Sequence, residues 1–201
     1  GITPSYGLLK KVSQEITIPI NVLIRPRSGN FHYAEEEFSL MKEDIKLCKE
    51  LNFNGIVSGI LNPDNTIDIQ RTKELVAFSK PLSFTFHRAF DCVSNPKKSL
   101  EILIELKVNR ILTSGSQKKA AQGIQLLKEL KQLAKDRIII LPGSGINKKN
   151  AVLFKEAGYT EIHTSASKNS REEKSLFFGN HTQTVSSIVT IKEILKVITD
   201  A

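Results

Sequence analysis

The sequence predicts an α/β protein with a parallel sheet, and it favours a TIM-type (β/α)8 barrel over a doubly wound sheet. Short apolar runs alternate with amphipathic helical patterns, which is the chain order of a parallel βα protein. The runs start roughly 24 to 35 residues apart, close to the roughly 31 residues per unit of an eightfold barrel. Polar residues follow every run, as expected when all strand ends meet on one face of a barrel rather than at one switch point.

Six runs have the composition of strands that are buried on both faces, because they are rich in β-branched and aromatic residues and too short for helices. They span residues 20–24, 55–60, 83–87, 110–113, 137–141 and 161–164. Six strands cannot close an eight-stranded barrel. We therefore expect a single domain over residues 1–201 that holds six of the eight βα units, with about two strands and a helix missing upstream and two open sheet edges.

Helical patterns fill the intervals between the predicted strands. The spacing of Phe38, Met41, Ile45 and Cys48 predicts a helix with one buried face. A polar stretch over residues 168–187 follows the last predicted strand, and we expect a mobile loop or a lid there. Start and stop signals of other helices are Asn95-Pro96, Asn147 and Gly158.

The charge balance restricts the classes of partner. The chain has 29 Lys and Arg against 21 Asp and Glu, a net charge of +8, which favours anionic partners in general. The cations are spread along the whole chain with few aromatics between them, so we assign them to solvated helix faces and expect no nucleic acid partner. No apolar run is long enough for a membrane helix, and we expect a cytoplasmic protein without a membrane partner.

The densest group of chemically capable residues follows the third predicted strand. His87, Arg88 and Asp91 lie within five residues of one another. His87 is a candidate general base or acid near neutral pH, Asp91 is a candidate for orienting it, and Arg88 adds a cation. The alternative is a structural network that closes the strand end.

A second group of residues has the chemistry of an anion site. Arg25 follows the first strand, and a guanidinium suits carboxylate or phosphate, although a salt-bridged loop would look the same in sequence. The Gly-Ser-Gly string at residues 143–145 resembles a phosphate cradle of backbone N–H groups before a helix N-terminus. The candidate anion-binding residues are Arg25, Arg27, Thr113, Ser114, Gly143, Ser144, Gly145, His163 and Ser165.

Metal-binding signals are sparse. The chain has no Cys-x-x-Cys, no His-x-x-x-His and a single Met. Cys48 lies on the apolar helix stripe, where we expect a buried and inert thiol. Cys92 follows Asp91, and a two-coordinate soft site from Cys92 and His87 is the one metal arrangement that the residues leave open. No resident cofactor is indicated, and copper stays an open ligand.

At these residues the chain resembles the CutC family of copper homeostasis proteins. The shared strings include Gly-Ile-Thr-Pro-Ser at residues 1–5, Arg-Pro-Arg-Ser-Gly at 25–29, His-Arg-Ala-Phe-Asp at 87–91, Thr-Ser-Gly at 113–115 and His-Thr-Ser-Ala at 163–166. The resemblance implies a TIM-type barrel in the cytoplasm that forms homo-oligomers, with a strand, a helix and a second strand before the Gly-Ile-Thr-Pro segment. The positions that carry over are Arg25, His87, Arg88, Asp91, Thr113, Gly143, Gly145 and His163. Neither cysteine belongs to the shared strings.

Three functions follow from these observations as hypotheses. The first is a CutC-like copper homeostasis protein that binds copper ion and has a polar, anion-accepting pocket at the carboxyl face of the barrel. The second is a TIM-barrel enzyme that performs acid/base chemistry on a small phosphorylated or carboxylated metabolite. The third is a non-catalytic assembly module. The expected partners are a small anionic ligand or a copper ion, together with further copies of the chain.

Overall fold

Five parallel strands in chain order form the central sheet of the protein. The computed structural model describes residues 1–175 and 179–199. The strands are β1 (Asn21–Leu23), β2 (Gly55–Ser58), β3 (Ser83–Phe86), β4 (Arg110–Thr113) and β5 (Ile139–Pro142). The helices are α1 (Tyr6–Glu15), α2 (Glu35–Glu50), α3 (Ile69–Ser79), α4 (Pro96–Glu105), α5 (Ile124–Ala134), α6 (Ala151–Glu156) and α7 (Ile188–Thr199), and a 3-10 helix covers Arg88–Cys92.

The strand order decides between the two parallel architectures. Each strand pairs in parallel with the next one along the chain, in the order β1-β2-β3-β4-β5. A doubly wound sheet would reverse this order at a switch point. Successive right-handed crossovers without a reversal put the connecting helices on one face and curve the sheet in one direction. The sheet is therefore part of a TIM-type barrel, and the predicted fold class is confirmed.

The sixth predicted strand, over residues 161–164, is reduced to a single residue pair. His163 alone pairs with Gly143, through one isolated parallel bridge. The Glu161 carboxylate instead accepts two hydrogen bonds from the Arg110 guanidinium, at 2.8 and 3.0 Å. The Arg110 side chain thus holds this segment against β4, and one backbone hydrogen bond, from the His163 N–H to the Pro142 carbonyl at 2.8 Å, holds it against β5.

The loop expected over residues 168–187 is wrong. Ser167–Ser175 (β6) and Gly179–Ser186 (β7) form an antiparallel hairpin; residues 176–178 between them lie outside the described part. Two strands of a hairpin satisfy each other's backbone groups, so they form without the apolar pattern on which the prediction relied.

The helix predictions fare better. Phe38, Met41, Ile45 and Cys48 are buried along α2, as their spacing predicts. Asn95 caps α4 by accepting a hydrogen bond from the Lys98 backbone N–H, and Pro96 occupies the first turn. Among residues 1–175 and 179–199, no helix has the length and apolar content that a membrane crossing requires.

Candidate functional site

A groove of about 480 Å³ lies along one face of the sheet and opens at the carboxyl ends of the strands. Its walls combine apolar strand residues with cations and imidazoles from the loops that follow the strands. The lining residues are Gly1, Asn21, Leu23, Arg25, Phe31, Val57, His87, Arg88, Leu112 and His163. Four of the predicted site residues, Arg25, His87, Arg88 and His163, are thus brought to one cavity. The cavities at the amino ends of β4 and β5 contain none of the predicted residues.

Arg25 is held at the rim of the groove by the N-terminal segment. Two hydrogen bonds join the backbone of Arg25 to Thr3. The Arg25 N–H donates to the Thr3 hydroxyl at 2.8 Å, and the Thr3 N–H donates to the Arg25 carbonyl at 2.9 Å. The guanidinium donates to the carbonyls of Gly1, at 3.0 Å, and Gly29, at 2.7 Å. Its Nε is buried without a hydrogen-bond partner. Arg25 is therefore fixed in place, beside the buried Tyr33 hydroxyl with which its guanidinium interacts.

His87 lies at the end of β3 and begins the 3-10 turn. Its Nδ1 accepts a hydrogen bond from the Ala89 N–H at 3.2 Å, which assigns the proton of the neutral ring to Nε2. The imidazole is 6% exposed. Burial, and then the charge of Arg25, lowers the pKa of His87 to about 4. At neutral pH His87 is therefore an uncharged ring, and its Nε2 is buried without a partner.

Asp91 does not orient His87, contrary to the sequence expectation. Its carboxylate accepts hydrogen bonds from the Thr113 hydroxyl at 2.5 Å and from the Ser114 N–H at 2.9 Å. It also pairs with Arg88, whose Nε lies 2.7 Å away. The 3-10 turn carries Asp91 toward the end of β4, and the Nδ1 acceptor of His87 is already used by Ala89.

Arg88 and the hydroxyl-bearing turn after β4 form one connected unit with Asp91. Arg88 Nη2 donates to the Ser114 hydroxyl at 3.1 Å, and the exposed Arg88 side chain borders the groove. Thr113 and Ser114 are fully buried. Both were candidates for binding an anion directly, but their bonds to Asp91 give them the structural role of holding Arg88 and the turn.

The Gly-Ser-Gly segment at residues 143–145 is not at a helix N-terminus. The α6 helix starts only at Ala151 and is six residues long, so the segment gains no helix dipole. The Ser144 hydroxyl donates to the Lys118 carbonyl at 2.9 Å, and Gly145, with φ +69°, packs against Lys119. Gly143 makes the bridge to His163. The segment therefore packs against the loop after β4 and supports one wall of the site.

Arg27 and Ser165 lie outside the groove. Arg27 Nε donates to the Glu37 carboxylate at 2.5 Å, and its Nη2 donates to the His32 carbonyl at 2.6 Å. This is the salt-bridged loop that the sequence left as the alternative. The Ser165 hydroxyl is bonded to the Ser167 hydroxyl at 3.1 Å, at the start of the hairpin.

His163 borders the groove from its position beyond β5. Loss of solvent around the imidazole and, to a lesser extent, the charge of Arg88 lower the pKa of His163. A neutral ring is therefore favoured at physiological pH. The site thus places two neutral imidazoles, His87 and His163, beside two guanidiniums. A neutral imidazole accepts a proton at its unprotonated nitrogen and donates a hydrogen bond from the other.

The described residues offer little to a metal ion. No group of three or more His, Cys, Asp or Glu converges anywhere in residues 1–175 and 179–199. Cys48 is buried, as predicted, and loss of solvent and the charge of Asp44 raise its pKa to about 12. Cys92 is exposed at the end of the 3-10 helix, and partial burial and Asp91 raise its pKa.

Sequence reasoning missed two residues that shape the site. The Phe31 ring lies under the Arg25 guanidinium and against the His87 ring, but no periodicity marks a single aromatic in a loop. Gly59 leaves room for His87, because a Cβ there would come within 2.7 Å of the imidazole Nδ1. Its place directly after β2 was the one available signal.

Comparisons with known proteins agree with this architecture. The family model described as the CutC family matches residues 1–168. The CutC family protein of Klebsiella pneumoniae strain 342 is 47% identical over 166 residues, which cover 83% of this chain and 67% of that relative. The CutC family protein of Salmonella newport is 45% identical over 166 residues, which cover 83% of this chain and 66% of that relative.

Solved structures give the same result. The CutC protein of Streptococcus agalactiae, which carries a copper homeostasis name, is 37% identical with a TM-score of 0.77, and the match covers 81% of each chain. An aldolase, QR15, is 17% identical to this chain with a TM-score of 0.59, and the match covers 77% of this chain and 72% of the aldolase chain. This match shows a shared fold and nothing more. The sequence strings, the strand order and these matches agree, and the chain belongs to the CutC family.

Proposed function

We propose that the groove binds a small organic anion and that its two imidazoles carry out acid/base chemistry on it. One observation carries this proposal: Arg25, Arg88 and His163 border the same cavity as a histidine that is kept neutral by burial. Cations at the rim of a cavity with apolar walls attract an anion and fix its orientation.

Each residue has a distinct task in this proposal. Arg25 binds the anionic group of the ligand as a fixed, permanently charged donor. Neutral His87, with its proton on Nε2, donates a hydrogen bond to a ligand oxygen and polarises it. His163 borders the same groove and accepts the proton that the polarised ligand releases. Asp91 positions Arg88 and does not touch the ligand.

Binding is tested by isothermal titration with inorganic phosphate, acetate and benzoate. We expect Arg25→Met to weaken binding of the anion by about tenfold or more, since a charge-assisted hydrogen bond contributes about 1.5–3 kcal/mol. Lys128→Met, which removes an exposed charge on α5, is the matched control and should bind as the wild type does. Equal affinities for both variants would refute the proposal.

Copper binding is the second candidate function. It is favoured by the name of the Streptococcus agalactiae relative and by an exposed thiol, Cys92, five residues after His87. A Cu(I) competition titration against a strong chelator tests it, with Cys92→Ser and His87→Ala as variants. Stoichiometric binding that both variants lose would support copper. Binding no stronger than that of an unrelated protein with two thiols would reject it.

A further inference from the structure

Two buried nitrogen atoms beside the groove have no hydrogen-bond partner. They are Nε of Arg25 and Nε2 of His87. Buried polar atoms are nearly always bonded, so two unsatisfied nitrogens at one place call for an explanation. Both side chains border the groove and contact the Phe31 ring, which places the two groups near each other.

The Phe31 ring touches both side chains. Its centroid is 5.0 Å from the Arg25 guanidinium carbon and 4.8 Å from the centre of the His87 ring. An aromatic face interacts favourably with a guanidinium, but it is only a weak hydrogen-bond acceptor. The ring therefore packs against both side chains without satisfying either nitrogen.

The Phe31 side chain is the part of this contact that can move. Its backbone is fixed, because its carbonyl accepts a hydrogen bond from the Leu61 N–H at 3.0 Å. The side chain itself is half-buried and borders the groove. A rotation about its side-chain bonds would uncover both nitrogens with no change in the backbone.

We propose that Phe31 is a displaceable cover over a two-donor subsite for a carboxylate. This inference rests on the proposed function and names its ligand more closely. In the bound state one carboxylate accepts hydrogen bonds from Arg25 Nε and from His87 Nε2. One positively charged guanidinium and one neutral imidazole together balance the single negative charge of a carboxylate. The apolar side chains of Leu23, Val57 and Leu112 beyond the subsite fit a ligand with an apolar body.

Substitutions at His87 separate its two nitrogens. His87→Asn retains an acceptor near the position of Nδ1 but removes the Nε2 donor, whereas His87→Gln supplies an amide donor near the position of Nε2. With benzoate as the probe in isothermal titration, we expect His87→Asn to lose about tenfold or more in affinity and His87→Gln to lose clearly less. Circular dichroism at the same temperature confirms that each variant is folded.

The cover is tested at Phe31 with acetate and benzoate. We expect Phe31→Leu to bind acetate several-fold more tightly than the wild type, because acetate no longer has to displace the ring. Phe78→Leu is the matched control, since Phe78 also lies under a cation, Lys49, at 5.2 Å but on the outer helix α3. We expect the control to leave both affinities unchanged, and benzoate to bind the wild type more tightly than acetate does.

The outcomes distinguish the two proposals. If neither anion binds the wild type or any variant, the proposed function and the subsite both fail. If benzoate binds and Arg25→Met abolishes binding, but Phe31→Leu and His87→Asn bind as the wild type does, the anion site stands and the covered subsite is wrong. A measured Nδ1–H tautomer of His87, from the nitrogen chemical shifts of labelled histidine, would also overturn the subsite.

Discussion

His87 connects the electrostatics of the site with the stability of the fold. Its two ring nitrogens have different environments: Nδ1 accepts from Ala89, and Nε2 is buried without a partner. A protonated ring would have to place a second N–H against the Ala89 N–H, beside the positive Arg25. The local sequence shows a histidine after a strand, but the direction of its pKa shift follows only from the packing around it.

We predict that His87 makes the protein sensitive to acid. Its pKa is about 4 in the folded protein and near 6.5 in the unfolded chain, so the unfolded state binds the proton first. The free energy of unfolding therefore falls as the pH is lowered from about 6.5 to about 4, by about 3 kcal/mol for this residue. Urea denaturation at pH 7 and pH 4.5 measures the loss in the wild type and in His87→Gln. The variant should lose less; an equal loss would contradict the prediction.

The turn after β4 is an element whose shape depends on one carboxylate. Asp91 accepts hydrogen bonds from Thr113, Ser114 and Ser116, and it holds Arg88. These partners come from two separate parts of the chain. The short spacing of His87 and Asp91 pointed to a pair in sequence, but the 3-10 turn between them directs the carboxylate toward the next strand.

We predict that Asp91→Ala destabilises the protein by about 2 to 4 kcal/mol, because it leaves the buried Thr113 hydroxyl and Ser114 N–H without their acceptor. Asp91→Asn keeps one oxygen acceptor and should cost clearly less. Urea denaturation measures both. Asp64→Ala, which removes an exposed carboxylate that bonds only within its own turn, is the control and should have the smallest effect. Equal losses for Asp91→Ala and Asp64→Ala would refute this role.

Apolar periodicity predicts elements only where an apolar face is buried. The α2 stripe of Phe38, Met41, Ile45 and Cys48 follows from spacing alone, since one helix face contacts the core. The β6–β7 hairpin has no such stripe, so its pattern resembled a loop. The segment around His163 has the apolar content of a strand, but the bonds of Glu161 to Arg110 replace the expected ladder.

At the scale of the whole molecule, one rule predicted which residues would meet: the carboxyl ends of all parallel strands of a barrel lie on the same face. Arg25, His87, Arg88 and His163 are far apart in sequence, yet they line one groove because each follows a parallel strand or the bridge beyond β5. The rule could not predict which side chains at the strand ends would bond to other protein groups instead of facing the groove. Arg27 pairs with Glu37, and Thr113 and Ser114 bond Asp91, because these partners are supplied by loops that periodicity does not describe.

We predict that copies of this chain associate through the C-terminal helix α7. Its exposed apolar side chains are Ile188, Val189, Ile191 and Leu195, and a contiguous apolar surface of this kind favours burial against a partner. Size-exclusion chromatography with light scattering over a concentration series should show a rising mean mass for the wild type. The double variant Ile188→Lys/Leu195→Lys should stay at a lower mass. The exposed lysine addition Gln132→Lys on α5 is the control; a wild type that stays monomeric at all concentrations would contradict the prediction.

The strand order of the sheet has a mechanical consequence for the groove. Arg25 follows β1, and His163 pairs with Gly143 beyond β5, so the four junctions of the five-stranded sheet and this bridge separate the two residues. Each junction contributes about 20–25° of twist, so the relative orientation of Arg25 and His163 depends on every junction between them. Small changes in how the outer helices pack would therefore add up from junction to junction. Ligand size is in this way adjustable by substitutions that never contact the ligand, and directed evolution of this protein should find specificity changes on its outer surface as well as in the groove.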